Sequence, residues 1–263
     1  MSIALQVALV MVTILVVLLV IGAPIGVAIG MSSAVSMICM IPADVSFATS
    51  AQRIFAGSNS ISLIANPFII HAGNIMNNGG IATRLVNCAK VISGRMPGAL
   101  AQSNVVANML FGAISGSGAA AAAAMGGTIG PLEEKEGYDK NYSTAVNVAS
   151  APVGMLIPPS NTMIVYSSVA GSVSIAALFM AGYIPGLLWG GAVMILAGIM
   201  AKKRGYQAEQ RVPVKVALKT FWQAIPSLLL IVIVIGGILG GIFTATEGSA
   251  IAVVYATVLS LIY

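Results

Sequence analysis

Between Asn141 and Ala201 the chain runs for 61 residues without an Asp, Glu, Lys or Arg. A surface facing water needs charged side chains, so no soluble fold of ordinary size sustains such a stretch. The pattern recurs: residues 1–43, 54–83, 96–132 and 220–246 are also free of charge. Only 7% of the 263 residues are charged, against roughly 25% in a typical soluble domain. Mean hydropathy is +0.99. These runs exclude a cytosolic enzyme, a nucleic-acid-binding protein and a disordered regulator. They predict an all-α polytopic membrane protein, each span needing about 20 apolar residues. The net charge of +5 then reflects basic loops on one side of a bilayer, and no nucleic-acid partner is implied.

The first 80 residues read as three scaffold spans. Ile3–Ile21 ends at Gly22-Ala23-Pro24, because proline fixes φ and donates no amide. Pro24–Ile41 is the second and residues 60–77 the third, with Asp44–Arg53 as the loop between. Residues 81–97 form an arm. Ile81, Leu85, Val86, Ala89 and Ile92 alternate with Arg84, Asn87, Lys90 and Arg95 at helical spacing, which predicts an amphipathic helix lying on the membrane surface.

Residues 98–183 read as one half of a transport domain. The arm Gly98–Phe111 spans roughly 21 Å at 1.5 Å per residue, short of the ~30 Å hydrocarbon core. Ser115-Gly116-Ser117-Gly118 continues a helix poorly, and a shorter arm, Ala119–Gly127, follows. Charges flank both sides, Arg95 before and Glu133 to Lys140 after. Two readings fit: a helical hairpin over 98–127 entering and leaving by one face, or a single kinked span packed through small residues. In 141–170, Ile157-Pro158-Pro159-Ser160-Asn161 interrupts a half-length helix that resumes at Thr162. It is either a broken helix or a proline kink. Residues 175–182 read as a short turn and 184–200 as a span. Residues 206–222 form a polar connector within the segment 184–225, 226–245 a further span, and 247–263 the start of another. The basic cluster Lys202, Lys203, Arg204, Arg211, Lys215 and Lys219 places loop 201–225 in the cytoplasm and the N-terminus outside.

Discontinuous helices at membrane depth present free amides and carbonyls. The two interruptions, Ser115–Gly118 and Pro158–Asn161, are rich in neutral oxygen donors and hold no carboxylate. That chemistry suits Na⁺ as a coupling ion, with no other metal or cofactor. Asp139 and Glu133 to Glu136 read as solvated groups at the hairpin mouth. Glu247 reads as a helix cap within Thr244-Ala245-Thr246-Glu247. His71, the one histidine, reads as a packing residue, and Cys39 and Cys88 as buried small apolar groups. Ser117 lacks the frame of a nucleophile, so no enzyme is expected.

Three stretches, HAGNIMNNGGIATRLVNCAKVISGRMPGALAQSNVVANMLFGAISGSGAAAAAAMGGTIGPLEEKEGYD, APVGMLIPPSNTMIVYSSVAG and GGILGGIFTATEGSAIAVVYA, resemble the large membrane subunit of the tripartite ATP-independent periplasmic (TRAP) transporters. The resemblance covers nearly the whole chain. It implies an elevator-type, Na⁺-coupled symporter of the bacterial inner membrane, built from two inverted repeats, each with a re-entrant hairpin and a broken helix. It implies two partners: a small four-helix membrane subunit and a periplasmic binding protein that delivers a carboxylate-bearing organic acid. It places Ser115, Gly116, Ser117, Pro158, Ser160 and Asn161 around one Na⁺, and Ser117, Gly118, Ser160 and Thr162 beside the substrate. Two departures stand out. The family commonly has Asp shortly after the Ser-Gly-Ser tip, where this chain has Ala121. The family's second hairpin follows the Thr-x-Thr-Glu segment, and this chain ends at Tyr263. The expectation is a fragment or half-carrier with no transport by itself. A dicarboxylate carrier independent of a binding protein, and a non-transporting membrane remnant, are the alternative readings.

Overall fold

A computed structural model describes residues 3–171, 173–208 and 213–263. Every described element is helical, with no strand among the described residues. Contacts divide the chain into two units, Met1–Ser60 and Ile61–Tyr263. Residues 61–80, grouped with the scaffold spans in the sequence, fall within the second unit.

The first unit holds α1 (Ile3–Val20), α2 (Ile25–Ile38) and α3 (Ala43–Ser58). Gly22, at φ 86°, and Pro24 turn the chain between α1 and α2. α1 buries none of its residues, as expected of a helix whose surroundings are lipid or another chain. Ser46 Oγ donates to Ala34 O at 2.7 Å and ties α3 to α2. Asp44 to Arg53, expected as a loop, form the body of α3. Pro42 sets its start, and Asp44 in the first turn complements the positive end of the helix dipole.

The second unit opens with a 3₁₀ turn, Ile61–Ile64, and α4 (Ala65–Asn78). Then come α5 (Ile81–Ser93), α6 (Ala99–Ser115), α7 (Gly118–Thr128), α8 (Gly130–Lys135), α9 (Lys140–Ser150), α10 (Val153–Leu156) and α11 (Asn161–Ala170). α12 (Ile175–Arg204), α13 (Val214–Leu239) and α14 (Ala245–Ile262) complete it. The apolar stripe of α5 (Ile81, Leu85, Val86 and Ala89) is buried, and α5 packs on α6 and α13. Its Arg84 guanidinium stacks 3.1 Å from the Tyr263 ring centroid. Thr246 Oγ1 donates to Ile61 O at 3.0 Å, and Gly79 abuts Ser260, so α4 and α14 run parallel.

Two expected interruptions are absent. α12 is one helix of 30 residues through Pro185, and α13 one of 26 residues through Pro226. A lone proline forfeits one amide donor, and packed neighbours satisfy the freed carbonyl. Glu209 and Arg211 of the expected connector lie outside the described residues. Among the described residues four helices, α1, α12, α13 and α14, are long and apolar enough to cross a membrane. The pair 140–156 and 161–170, bent by 47°, adds a fifth if it counts as one span. The chain is therefore a multi-pass membrane protein.

Candidate functional site

α6 and α7 fold back on each other, and α9 lies against both. Asn147 of α9 shows this directly. Its Nδ2 donates to Ala122 O of α7 at 2.8 Å, while its Oδ1 accepts from Asn108 Nδ2 of α6 at 3.0 Å. The same Asn108 Nδ2 lies 3.0 Å from Asn104 Oδ1 and 2.7 Å from Ser150 Oγ. Asn104, Asn108 and Ser150 are fully buried. This amide network was not singled out in the sequence. Its visible signal was Asn104 and Asn108 four residues apart, on one helical face of a charge-free segment.

The chain reverses at Gly116-Ser117. Gly116 takes φ 59°, a left-handed conformation that side chains disfavour. A Cβ there would also stand 2.9 Å from Pro159 O and 3.0 Å from Asn161 N, so the reversal sits directly on the helix break. Ser117 then caps α7, its Oγ accepting from Ala120 N at 3.3 Å. Across from it, Ile157 leaves the helical conformation with ψ 124°, and Pro158-Pro159 carries the chain to Ser160. Ser160 caps α11 by accepting from Met163 N at 3.4 Å, and its hydroxyl donates to Met155 O at 2.5 Å. That second bond closes the break.

Close backbone contact holds the two interruptions together. A Cβ on Gly112 would lie 2.2 Å from Gly154 Cα, so α6 and α10 meet without side chains between them. α12 runs antiparallel along α9 and α10: Tyr142 Oη donates to Ala197 O at 2.8 Å and Trp189 Nε1 to Ala149 O at 2.9 Å. α4 borders the reversal from another side, with Gly73 against Ser115 and Ile69 against Gly116.

The structure brings together Ser115, Gly116, Ser117, Pro158, Ser160 and Asn161. Ser115, Pro158 and Ser160 are buried, and Ser117 and Asn161 half-buried. The Asn161 Oδ1 is buried without a hydrogen-bond partner among the described residues. Asn66 Oδ1, on α4, is in the same condition, and the sequence did not single it out. Gly118 packs against Ala151 O. Thr162 is exposed and, with Asn161, Val165, Tyr166 and Val169, lines an open groove of ≈ 530 Å³ along α11. The C-terminal carbonyls of α6 and the N-terminal amides of α7 and α11 converge here. The first suit a cation and the second an anionic group.

At the other end of the hairpin one expectation is corrected. Glu133 is 1% exposed, whereas Glu134 and Glu136 remain exposed. α8 turns Glu133 inward against α9, which a run of charged residues does not announce. Burial pushes its carboxyl up to about 7, and neighbouring Glu136 adds to the rise. The Ser143 hydroxyl facing it tempers the shift. Asp139 behaves oppositely. It caps α9 by accepting from Tyr142 N at 2.9 Å and pairs with Arg204 at 3.1 Å, and both contacts hold its carboxyl below the usual range. Glu247 forms the capping box with Thr244 and so is engaged in starting α14. His71 is exposed, as is Cys39, while Cys88 is buried.

A family profile described as "Tripartite ATP-independent periplasmic transporter, DctM component" matches residues 12–263. The uncharacterized protein YgiK of Salmonella typhimurium is 52% identical, over 88% of this chain and 53% of its own length. The isethionate TRAP transporter permease protein DctMQ of Oleidesulfovibrio alaskensis is 42% identical, over 80% of this chain and 33% of that protein. The C4-dicarboxylate TRAP transporter large permease protein DctM of Vibrio cholerae is 41% identical, over 81% and 47% respectively. The chain spans a third to about half the length of these relatives.

Proposed function

Since this chain belongs to the DctM family of tripartite ATP-independent periplasmic transporters, we propose that it contributes one ion and substrate site to a Na⁺-coupled symporter of small organic acids. Its named relatives are transporter permeases, not enzymes. Isethionate and C4-dicarboxylates, in the names of two of them, are both organic anions, and the substrate class here follows that pattern. A small membrane subunit and a periplasmic binding protein are the proposed partners, and the bacterial inner membrane the proposed location, with loop 201–225 cytoplasmic.

One observation carries the reading. The reversal at Gly116-Ser117 meets the break at Pro158–Asn161, and the Asn161 carbonyl oxygen there is buried without a partner. A buried polar atom left unpaired costs about 1–3 kcal/mol. A Na⁺ held by Asn161 Oδ1, Ser115 and Ser117 oxygens and the backbone around Pro158 and Ser160 removes that cost. It also places a positive charge beside the amide ends of α7 and α11, where the anion of the substrate is drawn. Ion and substrate then stabilise each other's binding.

The test is uptake of a labelled C4-dicarboxylate into proteoliposomes. They hold this chain, with and without the remaining length of the Vibrio cholerae relative joined after Tyr263, together with the small subunit and binding protein. Accumulation driven by a Na⁺ gradient, and reduced at least tenfold by Asn161→Ala, supports the proposal. Uptake indifferent to Na⁺ or to Asn161→Ala overturns it.

A further inference from the structure

α6, α7, α8 and α9 enclose a cavity of ≈ 350 Å³ at the end of the hairpin remote from its reversal. Asn104 and Ser115, on one helix, are eleven positions apart, roughly 17 Å at 1.5 Å per residue. Asn104, Glu133, Tyr138, Ser143 and Asn147 are among its lining. Glu133 is 1% exposed and Asn104 0%. Among the described residues, both carboxylate oxygens of Glu133, the Ser143 hydroxyl and the Asn104 Nδ2 find no hydrogen-bond partner.

A carboxylate withdrawn from water calls for a counter-charge. No described residue places one on Glu133. The ion pair among the described residues joins Arg204 to Asp139. Lys140 lines the cavity from its exposed rim and forms no ion pair with Glu133. The oxygen set is hard: one carboxylate, one hydroxyl and the amide carbonyls of Asn104 and Asn147, each of which has a lone pair beyond the bond it accepts from Asn108. No group of three or more His, Cys, Asp and Glu able to hold a metal ion occurs among the described residues. That excludes a transition-metal cage at this place. A divalent ion against one buried carboxylate would leave net positive charge beside Lys140. A monovalent ion neutralises Glu133, and the cavity leaves room for several of its waters.

We propose that this cavity binds one alkali cation, Na⁺ or K⁺, ligated by Glu133, the Ser143 hydroxyl and the carbonyl oxygens of Asn104 and Asn147, with water completing the shell. The ion joins α8 to α6 and α9 and fastens the base of the hairpin to the helix beside it. The site is separate from the reversal and stands whether or not Na⁺ binds there.

The experiment uses the purified full chain in lipid nanodiscs. Its melting temperature is followed against NaCl, KCl or choline chloride at constant ionic strength, with radiolabelled Na⁺ retention as a direct readout. Asn161→Ala removes the reversal site and should leave one saturable alkali-cation response. Glu133→Gln keeps the shape, lacks the charge and should abolish that response, lowering retained Na⁺ at least tenfold in the Asn161→Ala background. Whether Na⁺ alone or both Na⁺ and K⁺ stabilise identifies the ion; either supports the site. A full response surviving Glu133→Gln, or stabilisation by choline equal to that by Na⁺ and K⁺, overturns it. An unaltered response in Asn161→Ala with loss in Glu133→Gln counts against the reversal site and for this one.

Discussion

Asn108 joins three helices through one amide: α6 on which it stands, α9 through Asn147 and Ser150, and α7 through the bond Asn147 makes to Ala122. Asn108→Ala empties that position and leaves Asn147 and Ser150 under-satisfied in the interior. The expected loss is about 2–3 kcal/mol of stability, read by denaturation in micelles, while Asn108→Asp should cost more by burying a charge. Glu133 gives a pH dependence. Its carboxyl releases a proton near 4.5 when unfolded and near about 7 when folded. Between those values the folded chain holds more protons than the unfolded one, so its stability falls as pH rises from about 4.5 to 7 and stays low above. A shift of this size corresponds to about 3 kcal/mol. Melting in choline buffers from about pH 5 to pH 8 should show the decline, and Glu133→Gln should flatten it. Neither residue's role was legible. The Asn108–Asn147 pairing joins positions 39 apart in sequence, and Glu133 sits among charges that read as one solvated run. Ser117, Ser160 and Asn161 were legible because glycine and proline punctuate the chain beside them.

The elements owe their placement to missing side chains. Gly112 and Gly154 touch backbone to backbone, and this contact brings the reversal onto the break. Glycine inside a helix ordinarily costs about 0.5–1 kcal/mol relative to alanine. Gly112→Ala should therefore stabilise an isolated α6. In the protein it should instead weaken Na⁺ binding several-fold, and Gly154→Val should abolish it, with helix content by circular dichroism kept. An improved melting temperature with intact Na⁺ binding would show that the contact does not position the site. The interruptions were legible where several signals coincide: glycines alternating with serines, or two adjacent prolines. Two expected boundaries did not hold. Pro185 and Pro226 each lie within continuous helix, because one lost amide is tolerated among packed neighbours. The helix over Ala43–Ser58 was hidden by Asp44 and Arg53, charges that mark a membrane boundary but do not forbid a helix.

At the scale of the molecule the helix lengths sort into two classes. α12 has 30 residues and α13 has 26, so each extends well past the ~30 Å of a hydrocarbon core. α6 has 17 and α7 has 11, roughly 25 Å and 17 Å. Each arm is shorter than that core, so the hairpin is expected to turn back before crossing. The half-helices 140–156 lie beside α6, so their break falls at the same depth as the reversal. Charge follows this division. Asp139, at the start of α9, pairs with Arg204, at the end of α12, and the two helices therefore begin and end at one face. The hairpin opens at that face too, because Lys140 and Glu133 line one cavity with Asn104. Cysteines placed at Met96, Lys135 and Lys203, in a background with Cys39→Ser, should react together with a membrane-impermeant maleimide. Ser117→Cys should be shielded from either side, more so with Na⁺ present. Basic residues at this face predict the cytoplasmic side, so labelling should require inside-out vesicles. If Met96 and Lys135 label from opposite sides, residues 98–128 cross the membrane and the two interruptions cannot form one site. If all three label from outside, the site stands with its mouth reversed, and the driving Na⁺ gradient must act from the other direction.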